Sequence, residues 1–190
     1  GRFTAPQTKA GARQLLGLAQ DKKIYLIMTG GIGCGDAVSL CETLRRVPDE
    51  RALLLVLPGR NEELRRTIDE KYHACGVVAV PFTDKVADYM HAADVMISKA
   101  GGISSSEAAV LGVPLVHAMI IPGVETLNAE FFARHGMSYF AQDTDEAARF
   151  ADRLVFDDAA AARMLAAQNA TLPKDGAAAI VSALLAEAGK

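Results

Sequence analysis

The sequence predicts an α/β protein built on a doubly wound parallel sheet. Short runs of apolar and β-branched residues alternate with longer amphipathic stretches along most of the chain. Strands that alternate with helices are joined by right-handed crossovers, which make the strands parallel and place helices on both faces of the sheet. No repeat of fixed period and no Ser/Gly/Pro-rich linker divides the chain, so we expect one sheet of about six strands.

Each element follows from its own pattern. The strands are the short apolar runs, which have the length of buried parallel strands. We predict them at Ile24–Met28, Ala52–Leu57, Val77–Val80, Val95–Ser98, Leu115–Met119 and Ser138–Ala141. The helices are the stretches in which apolar residues recur every three or four positions. We predict them at Arg13–Ala19, Asp36–Arg46, Glu62–Tyr72, Lys85–Ala92, Ile103–Leu111 and Glu125–His135, and in the tail at Asp145–Val155, Ala159–Ala167 and Ala177–Ala188, with a break at Pro173.

The composition excludes several classes of protein. The 190 residues are 51% hydrophobic and 23% charged. A net charge of −3 argues against a nucleic-acid-binding protein, and no Lys/Arg cluster marks a membrane-surface helix. The longest apolar runs are far shorter than the roughly 20 residues of a membrane-spanning helix. Three cysteines without a Cys-x-x-Cys pair argue against a disulfide framework or a zinc site and favour a reducing compartment.

The length fits one domain, because 190 residues can fill one core. We therefore predict a single domain over residues 1–190, with a polar lead-in at 1–12 and C-terminal helices at 145–190. The sequence begins with Gly1 rather than Met, which is typical either of a processed product or of a domain from a longer protein.

The residues that could bind a ligand gather in the loops that follow the strands. In a doubly wound sheet, ligands bind outside the carboxyl ends of the strands. Five of these loops are rich in glycine, hydroxyl and charged residues: Thr29–Gly35, Pro58–Asn61, Pro81–Asp84, Lys99–Glu107 and Ile121–Glu125. The connections at the opposite edge are shorter and less polar, so we expect the site at the carboxyl edge.

Two of these loops place glycines directly before a helix, at 30–35 and 101–102. Such glycines leave backbone N–H groups free at the positive end of the helix dipole, which favours a phosphorylated ligand. The first loop does not match the dinucleotide fingerprint, because Asp36 stands where the third glycine belongs and no acidic residue ends the second strand. A nicotinamide-dependent dehydrogenase is therefore disfavoured.

The loop after the fourth strand allows two interpretations. Ser104 and Glu107 have the spacing of a capping box, in which each side chain would bond a backbone N–H at the start of the helix. In the functional interpretation, Ser104 and the helix N-terminus hold a phosphate, and Glu107 accepts hydrogen bonds from two ribose hydroxyls. The sequence leaves both open.

The remaining polar candidates also have two interpretations. Glu125 and Asn128 lie about one helical turn apart and could bind the hydroxyls of a sugar, or could be surface residues of a helix start. Arg60 and Lys99 are candidate phosphate partners, or solvated loop charges. Asp143-Thr144-Asp145 matches the DxD pattern of a metal site, but we favour a helix N-cap there.

His117 lies near the end of the predicted fifth strand and could reach the site. We favour the commoner alternative, a hydrogen-bonded structural histidine.

These residues resemble the donor-binding half of glycosyltransferase family 28. The resemblance is carried by 94–102, by Ser104 and Glu107, and by the Pro-Gly-Val-Glu segment at 122–125 followed by Asn128. The first glycine loop, Gly59-Arg60-Asn61 and 80–84 fit in the same order. Within the family the chain is similar to the monogalactosyl- and processive glucosyl-diacylglycerol synthases, over about residues 13–155.

The resemblance implies the C-terminal, Rossmann-like half of a GT-B glycosyltransferase that is inverting and needs neither a metal nor another cofactor. It implies that Phe82 lies against uracil, that Glu107 binds the ribose, and that Glu125 and Asn128 contact the hexose. Arg60 and Lys99 remain candidate phosphate partners. The diphosphate would be surrounded by Gly31, Gly33, Gly102 and Ser104.

The chain departs from the family pattern at two positions. Val124 stands where the family usually has Gln, which puts the sugar specificity in doubt. Ala100 stands where the family usually has Pro, a change that we do not expect to disturb phosphate binding.

The resemblance also implies what the rest of the protein supplies. The general base and the lipid acceptor, such as diacylglycerol, belong to an N-terminal acceptor domain that this sequence lacks. We therefore expect the isolated chain to bind a UDP-hexose but not to transfer it. The full-length protein would be cytoplasmic and peripheral at the inner face of the membrane, whereas this domain would not insert into it.

Two alternatives to an excised enzyme domain stay open. The chain could be a stand-alone donor-binding subunit that needs a separate, acceptor-binding membrane partner. It could also be similar to a UDP-sugar 2-epimerase, which would need catalytic acids and a histidine spread over two domains.

Overall fold

The computed structural model describes residues 7–31, 36–45, 51–72, 75–118, 120–172 and 176–188. Its strands form one parallel sheet in the order β3-β2-β1-β4-β5-β6. The strands are β1 (Lys23–Met28), β2 (Ala52–Leu57), β3 (Val77–Ala79), β4 (Val95–Ser98), β5 (Leu115–His117) and β6 (Tyr139–Phe140). This order confirms the predicted doubly wound sheet, and it reverses direction between β1 and β4, where such sheets bind their ligands.

Helices connect the strands and cover the sheet. Within the described ranges they are α1 (Lys9–Leu16), α2 (Ala37–Leu44), α3 (Glu62–Tyr72), α4 (Val86–Ala92), α5 (Gly102–Leu111), α6 (Thr126–Arg134), α7 (Thr144–Phe156), α8 (Asp158–Thr171) and α9 (Gly176–Ala188). The number and order of helices agree with the sequence prediction, and Pro173 lies outside the described residues.

The first helix lies earlier in the chain than its predicted range of Arg13–Ala19. Thr8 caps it by accepting a hydrogen bond from the Gly11 N–H at 3.1 Å. Gly17 ends it in the left-handed conformation, with φ of 66°. The prediction missed this helix start because the polar segment before Arg13 lacks the apolar spacing on which the prediction relied, whereas a cap and a glycine stop need no such spacing.

Most other helix and strand bounds differ by a few residues from the predicted ones, and two causes explain part of these differences. Residues predicted as first or last in a helix are often its caps: Asp36, Lys85, Glu125 and His135 flank their helices. The edge strand β6 is shorter than predicted because β5 offers it only two partners, Val116 and His117. Val80 follows β3, and Met119 lies outside the described residues.

The core is centred on β1 and β4, which are buried on both faces. Ile24, Leu26 and Ile27 on β1 are fully buried, as are Met96 and Ile97 on β4. Removing each of these side chains from water stabilises the fold by about 1.5–3 kcal/mol. The central strands are therefore rigid supports for the loops at their carboxyl ends.

A buried ion pair fixes the opposite, amino edge. Arg13 of α1 donates to Asp94 Oδ2 at 2.7 Å and to the carbonyls of Gln20, Lys22 and Ala92. Asp94 in turn accepts from the Ile24 N–H at 2.7 Å. A buried charge is tolerated only when it is paired and hydrogen-bonded, and these contacts hold α1 against the sheet far from the ligand edge.

The C-terminal helix differs from the others, since Ile180, Val181, Leu184 and Leu185 of α9 are all more than half exposed. In the part of the chain that the structure describes, no helix combines the length and apolar character needed to cross a membrane.

Candidate functional site

A cavity of about 260 Å³ opens at the carboxyl edge of the sheet, beside the point where the strand order reverses. Its walls come from the ends of β1 and β2, from the loop after β3, from the first turn of α4 and from the first two turns of α5. The lining residues are Met28, Gly30, Gly31, Leu57, Gly59, Val80, Pro81, Phe82, Thr83, Val86, Ser104 and Glu107. The cavity therefore joins four of the five segments that the sequence placed at this edge, all except Ile121–Glu125.

Two glycine turns form one side of the cavity. Gly30 and Gly59 both have positive φ, of 78° and 65°. A Cβ on Gly59 would lie only 2.6 Å from the Gly31 carbonyl oxygen and closer still to that of Gly30. The Arg60 N–H donates to the same Gly31 carbonyl at 2.9 Å. The loops after β1 and β2 are therefore packed backbone against backbone, which only glycine permits.

Ser104 and Glu107 line the cavity, and the structure shows that they do not form a capping box. The N-cap of α5 is Gly101, and the helix begins at Gly102, so Ser104 lies inside the first turn and Glu107 in the second. The capping-box interpretation was wrong because glycine is itself an acceptable N-cap. The N-cap residue Gly101 supplies no side-chain hydrogen bond to the start of α5. The first N–H groups of this helix are therefore candidates for binding an anion.

Glu107 is the one carboxylate among the described residues that line the cavity. It is partly buried, and this burial raises the pKa of its carboxyl above the ordinary value. A carboxylate at an apolar cavity wall gains from hydrogen-bond donors that replace water, such as sugar hydroxyls.

Phe82 stands at the rim of the cavity with 60% of its surface exposed. The guanidinium carbon of Arg60 lies 4.9 Å from the centre of its ring, which is the geometry of a cation–π contact. Arg60 thus stacks on Phe82, and its predicted contact with a phosphate stays a prediction. An exposed ring beside a cavity offers a stacking surface for a planar ligand group.

A second cluster lies next to Gly30 and α5. Lys99 donates to Glu125 Oε1 at 2.6 Å, and the Ile121 N–H donates to Glu125 Oε2 at 3.1 Å. Asn128 donates to the Ala100 carbonyl at 3.0 Å. Glu125 is only 4% exposed, so the predicted sugar contact is a buried, ion-paired carboxylate.

The predicted site residues therefore fall into three groups. Gly31, Phe82, Ser104 and Glu107 line the cavity itself. Lys99, Gly102, Glu125 and Asn128 form the adjoining cluster, in which a Cβ on Gly102 would lie 3.8 Å from the Asn128 amide nitrogen. Arg60 lies at the rim, and Gly33 is outside the described residues.

The sequence interpretation missed Thr83 and Val86, as well as the close approach of Gly59. Thr83 belongs to a loop that the sequence had already placed at this edge, and Val86 begins α4. Their position directly after β3 was the available signal, since each segment that follows a parallel strand points to the ligand edge.

His117 is structural, as favoured from the sequence. It is fully buried between two hydroxyls, with Ser105 Oγ at 2.8 Å from Nε2 and Ser138 Oγ at 3.1 Å from Nδ1. Burial lowers the pKa of the imidazole to about 4, although the carboxylate of Glu125 acts in the opposite direction. The side chain links α5, β5 and the residue that precedes β6.

The N-cap interpretation of Asp143 is confirmed, because its side chain accepts from the Glu146 N–H at 2.7 Å. Among the residues described, no three His, Cys, Asp or Glu side chains are grouped so that they could hold a metal ion. Metal-independence itself stays a prediction.

Comparison with known proteins gives three findings. The sequence model of the glycosyltransferase family 28 C-terminal domain matches residues 33–179. A processive diacylglycerol beta-glucosyltransferase of Bacillus cereus is 31% identical over 173 residues, which cover 90% of this chain and 44% of that protein. A processive diacylglycerol beta-glucosyltransferase of Bacillus pumilus is 33% identical over 71% of this chain and 36% of its own length.

Solved structures share the fold at low identity. The UDP-GlcNAc 2-epimerase of Neisseria meningitidis, bound to UDP-GlcNAc, superposes with a TM-score of 0.70 at 16% identity, over 92% of this chain and 47% of its own. Anabaena HepE, solved in complex with UDP and glucose, superposes with a TM-score of 0.68 at 18% identity, over 88% of this chain and 47% of its own. These likenesses confirm the Rossmann-like fold expected for the C-terminal half of a GT-B protein. The chain spans less than half the length of these relatives.

Proposed function

The chain belongs to the family of glycosyltransferase family 28 C-terminal domains, and from this membership we propose that it binds the UDP-sugar donor of an inverting hexosyltransferase. The acceptor would be a lipid such as diacylglycerol, bound by an N-terminal domain. We propose residues 1–190 as one donor-binding domain of this larger enzyme.

The observation that carries the proposal is the cavity at the β1/β4 reversal, where Phe82, Glu107, Ser104 and the glycine turn at Gly30 surround one space. We place the uracil against the Phe82 ring, with the backbone of this loop bonding the base. The ribose hydroxyls would donate to Glu107. The diphosphate would lie at the uncapped N-terminus of α5, near the glycine turns.

The names of the relatives and the ligands bound in the structural neighbours support this assignment. The Bacillus cereus relative is named a diacylglycerol glucosyltransferase, and the Anabaena neighbour was solved with UDP and glucose. We favour a transferase over a 2-epimerase because the relatives above 30% identity are transferases, whereas the epimerase likeness, at 16% identity, concerns the fold alone.

The proposed chemistry is a single displacement at the anomeric carbon, which inverts its configuration. An acceptor hydroxyl attacks while UDP leaves, and negative charge develops on the diphosphate. The α5 N-terminus, the backbone N–H groups and Lys99 would stabilise that charge without a metal or cofactor. The general base would come from the N-terminal domain, so the isolated chain should bind the donor without turnover.

The finer features of the proposal concern the sugar and the location. Val124 precedes Glu125, and its apolar side chain offers the sugar no hydrogen bond. Specificity for the hexose would then depend on Glu125 and Asn128. We propose that the full-length enzyme acts in the cytoplasm at the inner face of the membrane, where its lipid acceptor lies.

Glu107→Ala tests the proposal. We expect affinity for UDP to fall about tenfold or more, because two ribose hydroxyls lose a charged acceptor in a partly buried place. Affinity for inorganic pyrophosphate should not change, because that probe lacks a ribose. Titration calorimetry on the wild type and on Glu107→Ala measures the affinities for UDP and for pyrophosphate. An equal loss of affinity for both probes would show that Glu107 acts on the structure of α5 rather than on the ribose.

A further inference from the structure

The ion pair beside the cavity joins two of the charged groups expected to bind the donor, Lys99 and Glu125. We propose that this pair is exchanged on donor binding: the diphosphate takes the Lys99 ammonium from Glu125, and the released carboxylate oxygen accepts a hydroxyl of the sugar. The inference rests on the proposed function and goes beyond it, because it makes recognition of the sugar depend on recognition of the diphosphate.

Both carboxylate oxygens of Glu125 accept a hydrogen bond. Oε1 accepts from Lys99 at 2.6 Å, and Oε2 accepts from the Ile121 N–H at 3.1 Å. With 4% of the residue exposed, a sugar hydroxyl can reach Oε1 only where the ammonium now lies. The bond from Ile121 holds Oε2 in place, so Oε1 is the oxygen that can change partners.

Lys99 is placed to make the exchange. Its side chain runs across the Gly30 turn, where a Cβ would come within 2.7 Å of the lysine Cε. Gly30 lines the cavity, whereas Glu125 lies on the far side of the lysine, in the loop after β5. The lysine side chain keeps 23% exposure. A small rotation of its flexible end would therefore move the ammonium between Glu125 and an anion at the glycine turns.

Electrostatics favour the exchange only for a ligand that carries both a diphosphate and a sugar. Removing the ammonium leaves a buried carboxylate without its cation, which is costly unless new donors reach it. A diphosphate attracts the lysine more strongly than one carboxylate does, and a sugar attached to it supplies the hydroxyl. Free sugar lacks the anion, and free phosphate lacks the hydroxyl, so neither should complete the exchange.

Glu125→Gln is the variant that separates this proposal from a purely structural role. The amide oxygen can still accept from the Ile121 N–H, but the charge that holds Lys99 is gone. We expect binding of pyrophosphate and of UDP to become about three- to tenfold tighter, because the diphosphate no longer competes with a carboxylate for the lysine. For the UDP-hexose that the wild type binds best, the gain should be smaller or reversed, because the sugar loses a charged acceptor.

Two further variants complete the calorimetric experiment. In a Lys99→Met background, Glu125→Gln should no longer tighten UDP. Glu130→Gln, which removes an exposed charge from the same helix α6, should leave all three affinities at the wild-type value. If Glu125→Gln weakens UDP or leaves it unchanged, Glu125 only positions Lys99 and the exchange is wrong. Equal gains for UDP and for the UDP-hexose would overturn the sugar half of the proposal.

If the proposed function is wrong, the binding results differ from those expected when only the exchange is wrong. A wild-type chain that binds pyrophosphate but not UDP would contradict the uridine assignment, whereas the pyrophosphate arm would still test the exchange. Should Glu125→Gln not fold, the side-chain NMR signal of Lys99 in the wild type, assigned with Lys99→Arg, gives the same test. The signal should shift more with the UDP-hexose bound than with pyrophosphate bound, and an unmoved signal with the UDP-hexose bound contradicts the exchange.

Discussion

Gly59→Ala should lower the free energy of unfolding by about 2–5 kcal/mol, because the new Cβ meets both a conformational and a steric penalty. With φ of 65°, residue 59 lies in the left-handed region that side chains disfavour. The Cβ would also press against the Gly30 and Gly31 carbonyls, which cannot move without opening the contact between the loops after β1 and β2. UDP binding should be lost with that contact.

Gly112→Ala is the matched control. Gly112 has φ of 70°, but a Cβ there would meet nothing within 4 Å. It should therefore show the conformational penalty alone, about 1–2 kcal/mol, and leave UDP binding intact. Urea unfolding of both variants gives the comparison. A loss in Gly59→Ala no greater than that in Gly112→Ala would contradict the tight packing of the two glycine turns.

His117→Gln should flatten the dependence of stability on pH between about 6.5 and 4. Burial lowers the pKa of His117 to about 4, so the unfolded chain takes up a proton at a pH where the folded chain does not. The stabilisation from the neutral, buried imidazole is thus fully present above pH 6.5 and is lost as the pH falls to 4. The lost stabilisation amounts to about 3 kcal/mol.

Urea unfolding of the wild type and the variant at several pH values isolates this contribution, because other titrating groups affect both proteins alike. Glutamine can keep a hydrogen bond to Ser105 without titrating in this range. His135→Gln, which removes an exposed imidazole, should retain the wild-type profile. If His117→Gln also retains that profile, then His117 is not the buried neutral group described above.

The sheet and the position of the site were predictable because they depend on local pattern. Six apolar runs alternating with amphipathic stretches specify parallel strands, and the parallel order then sends every loop after a strand to one edge. The loops that carry Phe82, Ser104 and Glu107 were therefore placed at this edge by the pattern, whereas the choice of Phe82 within its loop rests on the resemblance to the family. The low-identity structural neighbours agree with this at the level of the fold.

Contacts between residues far apart in the sequence were not predictable. Nor was the position of a short motif relative to the start of its helix. Lys99 pairs with Glu125, 26 positions along the chain, and the spacing between them does not specify that bond. The Ser-x-x-Glu pattern at 104–107 fits a capping box in isolation, but the N-cap of the helix is Gly101, three residues before Ser104. Tertiary packing decides such cases, whereas a local pattern leaves them open.

The binding of a uridine nucleotide is the central claim, and a thermal-shift panel on the wild-type chain tests it most directly. The panel contains UDP, UDP-glucose, UDP-galactose, UDP-N-acetylglucosamine, GDP-mannose and NAD. A ligand at one hundred times its Kd stabilises the folded state by about 2.7 kcal/mol, so UDP and at least one UDP-hexose should raise the Tm by several degrees. Stabilisation by NAD, with none from any uridine nucleotide, would contradict the account.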